Sequence, residues 1–126
     1  MQEILEYILK NYSSASKIVE VGVGNHTEVL TKLKEKIDGE VTGVDIKDLK
    51  GIDRDDIFNP KLEIYRRAEL IYAIRPEPEL YPALKKIARY VKADLIIRPF
   101  SGDCCLDIEG LKLVNYGREF FYIMKG

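Results

Sequence analysis

Hydrophobic residues recur along this chain in two patterns, one typical of helices and one typical of strands. Helical spacing of apolar positions predicts a helix over residues 2–12, a second with a stripe from Val29 to Ile37, and a third with a stripe from Leu80 to Val91. Short runs rich in Val, Ile and Leu at 14–22, 40–46, 68–76 and 93–100 predict strands. Two further runs within 111–124, separated by a turn at 115–118, predict a hairpin.

The alternation of strands with helices predicts an α/β fold with a mostly parallel sheet, to which the last hairpin adds an antiparallel edge. Residues 47–56 are polar, and they predict at most a short edge strand around Gly51–Arg54. Residues 56–68 predict a loop with one helical turn. Asn25 is predicted to cap the second helix, with Glu28 completing a capping box.

Length and charge limit the kinds of function to consider. A chain of 126 residues without a linker predicts one domain over 1–126. The formal net charge of −1 gives no overall field for nucleic acid or an acidic membrane surface, so we expect neither as a partner. The first helix interleaves acids with apolar residues, unlike a signal peptide, and a cytoplasmic protein is expected. The spacing of ligand-type residues predicts no metal site.

The stretch "VEVGVGNHTEVL" is a predicted strand that runs through two glycines into a helix. Gly22 suits a tight turn, and Gly24 lets the backbone approach a ligand at the helix N-terminus. Asp45 ends the next strand about 20 residues later, which is the distance at which a carboxylate meets ribose hydroxyls in such folds. The alternative for Asp45 is a purely structural role at the end of its strand.

These motifs resemble the class I S-adenosylmethionine-dependent methyltransferases, which have a Rossmann-like three-layer sandwich. The resemblance rests on Glu20-Val21-Gly22-Val23-Gly24, on "VTGVDI" and on "RDDIFNP". It implies a small-molecule cofactor, S-adenosylmethionine, whose methionine part would lie over the glycines. By this resemblance, the cofactor-binding residues would be Glu20 at the amino group, Asp45 at the ribose, and Asp56 and Ile57 at the adenine, together with Gly22 and Gly24.

More narrowly, the run "DIFNPKLEIY…AELIYAIRP" resembles a small archaeal family of short methyltransferase-like proteins without an assigned function.

The chain departs from the wider family in two ways. His26 stands where a third glycine is common, and the helix set is reduced, since almost no helix is predicted between the second and third strands. Formation of a homo-oligomer that covers the thin faces is a hypothesis. The rival cofactor is NAD(P), whose fingerprint fails because Thr27 occupies the position of its last glycine.

Candidate residues for chemistry follow the predicted strand tips. Arg75 and Arg98 end two strands in the same Ile-Arg-Pro triplet, and together they could clamp a carboxylate or phosphate of an anionic substrate. The alternative is surface ion pairing with Glu77, Glu79 or Asp103. Glu77 is the nearest candidate general base. His26 is a second acid–base candidate, or else a solvated residue of the first helical turn.

Cys104 and Cys105 are adjacent, which suits neither a metal knuckle nor an unstrained disulfide. We interpret them as reduced thiols with a structural role, and a nucleophile on the acceptor side is the alternative. Two functions from different classes therefore stay open. One is a small methyltransferase acting on an anionic small molecule, and the other is a non-catalytic nucleotide-binding or partner-binding module.

Overall fold

The computed structural model of the chain describes residues 2–103 and 108–126, which form seven strands and four α-helices. The strands are β1 Lys17–Val21, β2 Glu40–Asp45, β3 Asp53–Arg54, β4 Leu70–Ile74, β5 Asp94–Arg98, β6 Lys112–Tyr116 and β7 Glu119–Met124. The helices are α1 Gln2–Tyr12, α2 Glu28–Lys36, α3 Leu62–Tyr65 and α4 Tyr81–Val91. Short 3₁₀ turns precede α4 at Pro78–Leu80 and follow β5 at Ser101–Asp103.

The strands form one sheet in the order β3-β2-β1-β4-β5-β7-β6. Strands β1 to β5 are parallel, whereas β7 pairs antiparallel with both β5 and β6. The chain runs outward from β1 to one edge and then returns to the other side of β1 at β4. The carboxyl ends of β1 and β4 therefore border the topological switch point, where open α/β sheets bind ligands.

Helices cover both faces of the sheet because alternate strand residues are apolar on both sides. On one face, α1 and α2 pack through Ile4, Ile8, Leu30 and Leu33, which are 3% exposed or less. On the other face, α3 and α4 pack through a second buried cluster that includes Tyr65, Leu84, Ile87 and Ala88. Burial of each large aliphatic side chain contributes ~1.5–3 kcal/mol to stability.

The predicted α/β sandwich with a C-terminal antiparallel hairpin is confirmed, as are the edge strand β3 and the single helical turn α3. The predicted reduction of the helix set is also confirmed, because residues 46–52 connect β2 to β3 without a helix.

The predicted cap of α2 was wrong. The helix begins at Glu28 with Thr27 as its N-cap residue, and no side chain among the described residues caps it. Asn25 lies too early because the turn from Val23 to His26 delays the helix.

Candidate functional site

Two cavities meet at the carboxyl edge of the parallel strands. The first, of about 310 Å³, lies on the α1–α2 side and is named here the Glu20 cavity; its lining includes Gly24, His26 and Arg75. The second, of about 130 Å³, is named the Asp45 cavity, and its lining includes Val44, Asp55, Asp56, Ile57 and Phe58. Gly22 lines both. The two cavities therefore lie on either side of Gly22, at the switch point between β1 and its neighbouring strands.

The glycine loop has a backbone conformation that side-chain-bearing residues avoid. Gly22 and Gly24 have φ angles of +77° and +59°, which glycine adopts without steric cost. The N–H groups of Gly22 and Val23 donate to the carbonyl oxygen of Val44, at 2.8 and 3.2 Å, and that of His26 donates to Val23. The loop is thus tied to β2 by hydrogen bonds within the chain.

Glu20 forms the floor of its cavity and is 2% exposed. Tyr72, its register partner on β4, is fully buried and donates its hydroxyl to Glu20 Oε1 at 2.6 Å. Burial raises the pKa of Glu20 to about 7, although the Tyr72 hydrogen bond acts in the opposite direction and the nearby Glu28 adds to the rise. Burial, followed by the nearby Glu20, raises the pKa of Tyr72, so its hydroxyl remains a donor.

Asp45 ends β2 and is 8% exposed. Its Oδ2 accepts the N–H of Gly24 at 2.8 Å, and its Oδ1 accepts the N–H of Lys47 at 2.9 Å. Each carboxylate oxygen has two acceptor sites, so both oxygens retain one for a ligand hydroxyl. Asp45 therefore has a structural role in this loop. Each of its carboxylate oxygens can still accept one hydrogen bond beside the Asp45 cavity.

The two aspartates after β3 have different environments. Asp55 is buried, and it accepts the Tyr65 hydroxyl at 2.6 Å and the N–H of Lys61 at 2.9 Å, which anchors α3 to the sheet. Asp56 is half-buried, and its Oδ1 accepts the N–H of Phe58 at 2.9 Å. Within the described residues, no donor contacts Asp56 Oδ2. Of the pair, only Asp56 has a carboxylate oxygen that accepts no hydrogen bond from the described residues, so it is the better placed to meet a ligand.

Apolar side chains border the Asp45 cavity on both sides. Ile57 is buried in its wall, whereas Phe58 and Ile46 are 64% and 61% exposed at its rim. Such exposure of two large apolar side chains around one opening suits a flat apolar ligand group.

Sequence reasoning missed Ile46 and Phe58, because an apolar residue next to a turn carries no signal of its exposure. It also missed Tyr72, for which the only signal was a tyrosine in an otherwise aliphatic strand.

The structure separates the candidate substrate residues. Arg75 is exposed and lines the Glu20 cavity with a φ of +52°, and its N–H donates to the carbonyl oxygen of Arg98 at 2.6 Å. Arg98 does not line either cavity within the described residues. Its Nε contacts Glu119 Oε1 at 3.2 Å, and its Nη1 donates to the carbonyl oxygen of Pro99 at 3.1 Å. The predicted two-arginine clamp is therefore not assembled, and Arg98 forms an ion pair with a residue that was not among the expected partners.

The two acid–base candidates lie in different places. His26 is exposed at the rim of the Glu20 cavity and does not fill it. Glu77 lines neither cavity; a hydrogen bond with Glu79 raises its pKa. Of the two, His26 is the one placed to reach a bound ligand.

The prediction for Cys104 and Cys105 lies outside the described residues. Among residues 2–103 and 108–126, no group of three or more His, Cys, Asp or Glu side chains is arranged to hold a metal ion. No helix in the same residues is long and apolar enough to cross a membrane.

Known proteins resemble the chain at two levels. The model of a family described as "Uncharacterised protein family (UPF0146)" matches residues 1–126. A UPF0146 protein of Methanothermobacter thermautotrophicus is 40% identical over 121 residues, which cover 95% of this chain and 91% of that protein. The expected small archaeal family is thereby confirmed.

Solved structures extend the likeness to the methyltransferase-like fold. An RNA methyltransferase from Salinibacter ruber in complex with S-adenosyl-L-homocysteine superposes with a TM-score of 0.68 at 10% identity, over 99% of this chain and 91% of that one. A mutant of MtNAS in complex with S-adenosylmethionine gives a TM-score of 0.64 at 17% identity, over 98% of this chain. The chain spans only 61% of the length of that MtNAS structure. At these identities the likeness shows the fold alone.

Proposed function

The chain belongs to the UPF0146 family. From the geometry of its site, we propose that it is a binding domain for S-adenosylmethionine. The observation that carries this proposal is the pair of cavities that meet at Gly22, with Glu20 in one and Asp45 and Asp56 in the other. Structures with the same fold hold S-adenosylmethionine or S-adenosylhomocysteine. The proposed ligand spans both cavities and crosses the glycine loop.

Each of three parts of this ligand, the adenine, the ribose and the methionine ammonium group, lies beside residues that can bind it. The flat adenine lies between the rim side chains Ile46 and Phe58, and its amino group donates to Asp56 Oδ2. The ribose hydroxyls donate to the remaining acceptor sites of Asp45. The ammonium group of the methionine part lies beside Glu20, which ionises when that positive charge replaces water in the cavity.

The loop disfavours the alternative of NAD(P) as ligand. A pyrophosphate needs free N–H groups at the loop and at the helix N-terminus. The N–H groups of Gly22, Val23, Gly24 and His26 already have acceptors within the chain. The exposed carboxylate of Glu28 in the adjoining cavity also repels a diphosphate.

Isothermal titration calorimetry with S-adenosylmethionine, S-adenosylhomocysteine and NAD tests the proposal. Asp56→Asn keeps the acceptor for the Phe58 N–H but removes the carboxylate, and it should weaken S-adenosylmethionine binding about tenfold, the loss of a charge-assisted hydrogen bond. Asp53→Asn is the matched control, since Asp53 is exposed on β3 and lines neither cavity. Absence of binding at millimolar ligand, or tighter binding of NAD, would refute the proposal.

A methyltransferase acting on an anionic small molecule is the catalytic form of this proposal. Arg75 supports it, because a non-glycine residue at positive φ costs ~1 kcal/mol or more and such strain concentrates at functional sites. Arg75 lines the Glu20 cavity, as Phe100 does, and its guanidinium can pair there with a carboxylate or phosphate. His26 at the same rim is the candidate base.

A screen of methyl acceptors tests the catalytic form. The acceptors bear carboxylate or phosphate groups, and the release of S-adenosylhomocysteine measures methyl transfer. Arg75→Gln should raise KM for such an acceptor at least tenfold, while binding of S-adenosylmethionine changes little. If the cofactor binds but no acceptor is methylated, the non-catalytic binding module is the better description.

A further inference from the structure

Helix α4, with the turn before it, carries opposite charges at its two ends on one outward stripe. Glu79, Pro82, Lys86 and Arg89 follow one another at spacings of three, four and three residues, which places them on the same side of a helix. All four are exposed. Within the described residues, none of these charged side chains has an ion-pair partner.

The acidic end contains two carboxyl groups in contact. Glu77 and Glu79 share a hydrogen bond, which raises the pKa of Glu77. At the other end, Lys85, Lys86 and Arg89 line an open depression of about 530 Å³, and none of the described residues in its lining is an acid. Among the described residues, the acidic end therefore has no neighbouring base in this stripe, and the basic end has no neighbouring acid.

Apolar side chains lie beside this stripe without cover. Tyr90 on α4 and Phe58 before α3 are each 64% exposed. Between them is a groove of about 450 Å³, whose lining also includes Pro60, Leu62 and Ala83. Apolar patches of this kind mark interaction sites on soluble proteins.

A second copy of the chain provides the opposite charges in the right order. When two identical helices pack antiparallel about a two-fold axis, a residue five positions before the axis faces the residue five positions after it in the second copy. An axis at the level of Leu84 places Glu79 opposite Arg89 of the second copy, and it places Pro78 opposite Tyr90 of the second copy. By symmetry, each contact forms twice.

We propose that this surface of α4 is a homodimer interface, in which the two α4 helices pack antiparallel and cover the Phe58–Tyr90 groove. The helix dipole favours acids at the start of a helix and bases at its end, but it gives no reason for two exposed aromatic rings beside them. A polyanion such as nucleic acid or an acidic peptide would pair with the basic end and be repelled by Glu77 and Glu79. Phe58 borders both this groove and the Asp45 cavity, but the charged residues of the stripe line neither ligand cavity, so the charge pairs of the interface are tested separately from the ligand.

Charge reversal with sedimentation equilibrium tests the interface. Glu79→Arg and Arg89→Glu, made singly, each place like charges opposite one another at two symmetric positions, and each should raise the Kd of the dimer at least tenfold. The double variant with both substitutions restores both pairs with the charges exchanged, and its Kd should return to within a few-fold of the original. Lys10→Glu is the control, since Lys10 is exposed on α1, on the opposite face of the sheet.

Circular dichroism establishes that each variant is folded, which is expected because all of the substituted side chains are exposed. A chain that stays monomeric up to hundreds of micromolar would overturn the proposal. A dimer whose Kd responds to neither reversal, or a double variant that is as weak as the singles, would also overturn it. Binding of a single-stranded oligonucleotide or a poly-glutamate peptide by the monomer, lost in Arg89→Glu, would assign the surface to a polyanion instead.

Discussion

The free energy of unfolding should depend on pH through Glu20, and Glu20→Gln should remove that dependence. Glu20 is 2% exposed, and burial raises its pKa from 4.5 to about 7. A difference of about 2.5 pH units at 1.36 kcal/mol per unit corresponds to ~3 kcal/mol. This is a substantial part of the 5–15 kcal/mol that stabilises a typical domain.

The sign follows from which state binds the proton. Below pH 4.5 the carboxyl group of Glu20 is neutral in both states. Between pH 4.5 and about 7 the folded chain keeps its proton whereas the unfolded chain has released it. The free energy of unfolding therefore falls as the pH rises through this window, and the loss is complete above it.

Urea unfolding at a series of pH values from 4.5 to 8 measures the effect. The isosteric Glu20→Gln variant has no proton to lose and should gain stability relative to the original chain as the pH rises, reaching ~3 kcal/mol by pH 8. Taking the difference between the two curves cancels every other titrating group. Glu63→Gln, on the exposed side of α3, is the control. Parallel curves for Glu20→Gln and the original chain would refute the reasoning.

Three further predictions test the packing around the site. Tyr72→Phe removes the hydrogen bond that lowers the pKa of Glu20, so the pH window in which stability is lost should extend upward, as the same urea series would show. Gly43→Ala adds a methyl group 2.7–3.0 Å from three side chains under α2, and it should cost ~1–3 kcal/mol in thermal or urea unfolding. Tyr65→Phe leaves the buried Asp55 Oδ2 without its hydroxyl donor, which should cost ~1–3 kcal/mol at neutral pH; an unchanged midpoint would show that water replaces the hydroxyl.

The fold was predictable because its signals are local. Strands β1, β2, β4 and β5 each lie in a short apolar run, and α1 and α4 each carry an apolar stripe with a regular period. The N-cap of α2 was the failure of this approach. Asn25 has the right side chain for a cap, but the hydrogen bonds of Gly22 and Val23 to Val44 on the neighbouring strand fix the loop and delay the helix.

The site was predictable only as far as strand order determines it. The glycine loop and Asp45 follow from the order of strands, and both border the cavities. The direction of Arg98 depends instead on the pairing of β5 with β7, which brings Glu119 to it from 21 residues away. In the same way, Tyr72 reaches Glu20 because of the register between β1 and β4. Registers of this kind are not local, so a single sequence does not reveal them.

The position of Asp45 shows why a motif alone does not distinguish a ligand contact from a structural one. Its carboxylate holds Gly24 in the left-handed region and fixes the start of the next turn at Lys47. An acid at this spacing is therefore useful to the fold even without a ligand. Loss of binding in Asp45→Ala would follow from a collapsed loop as readily as from a missing ribose contact. Asp56 has one oxygen outside such a network, so its conservative amide variant provides the more informative test of the binding site.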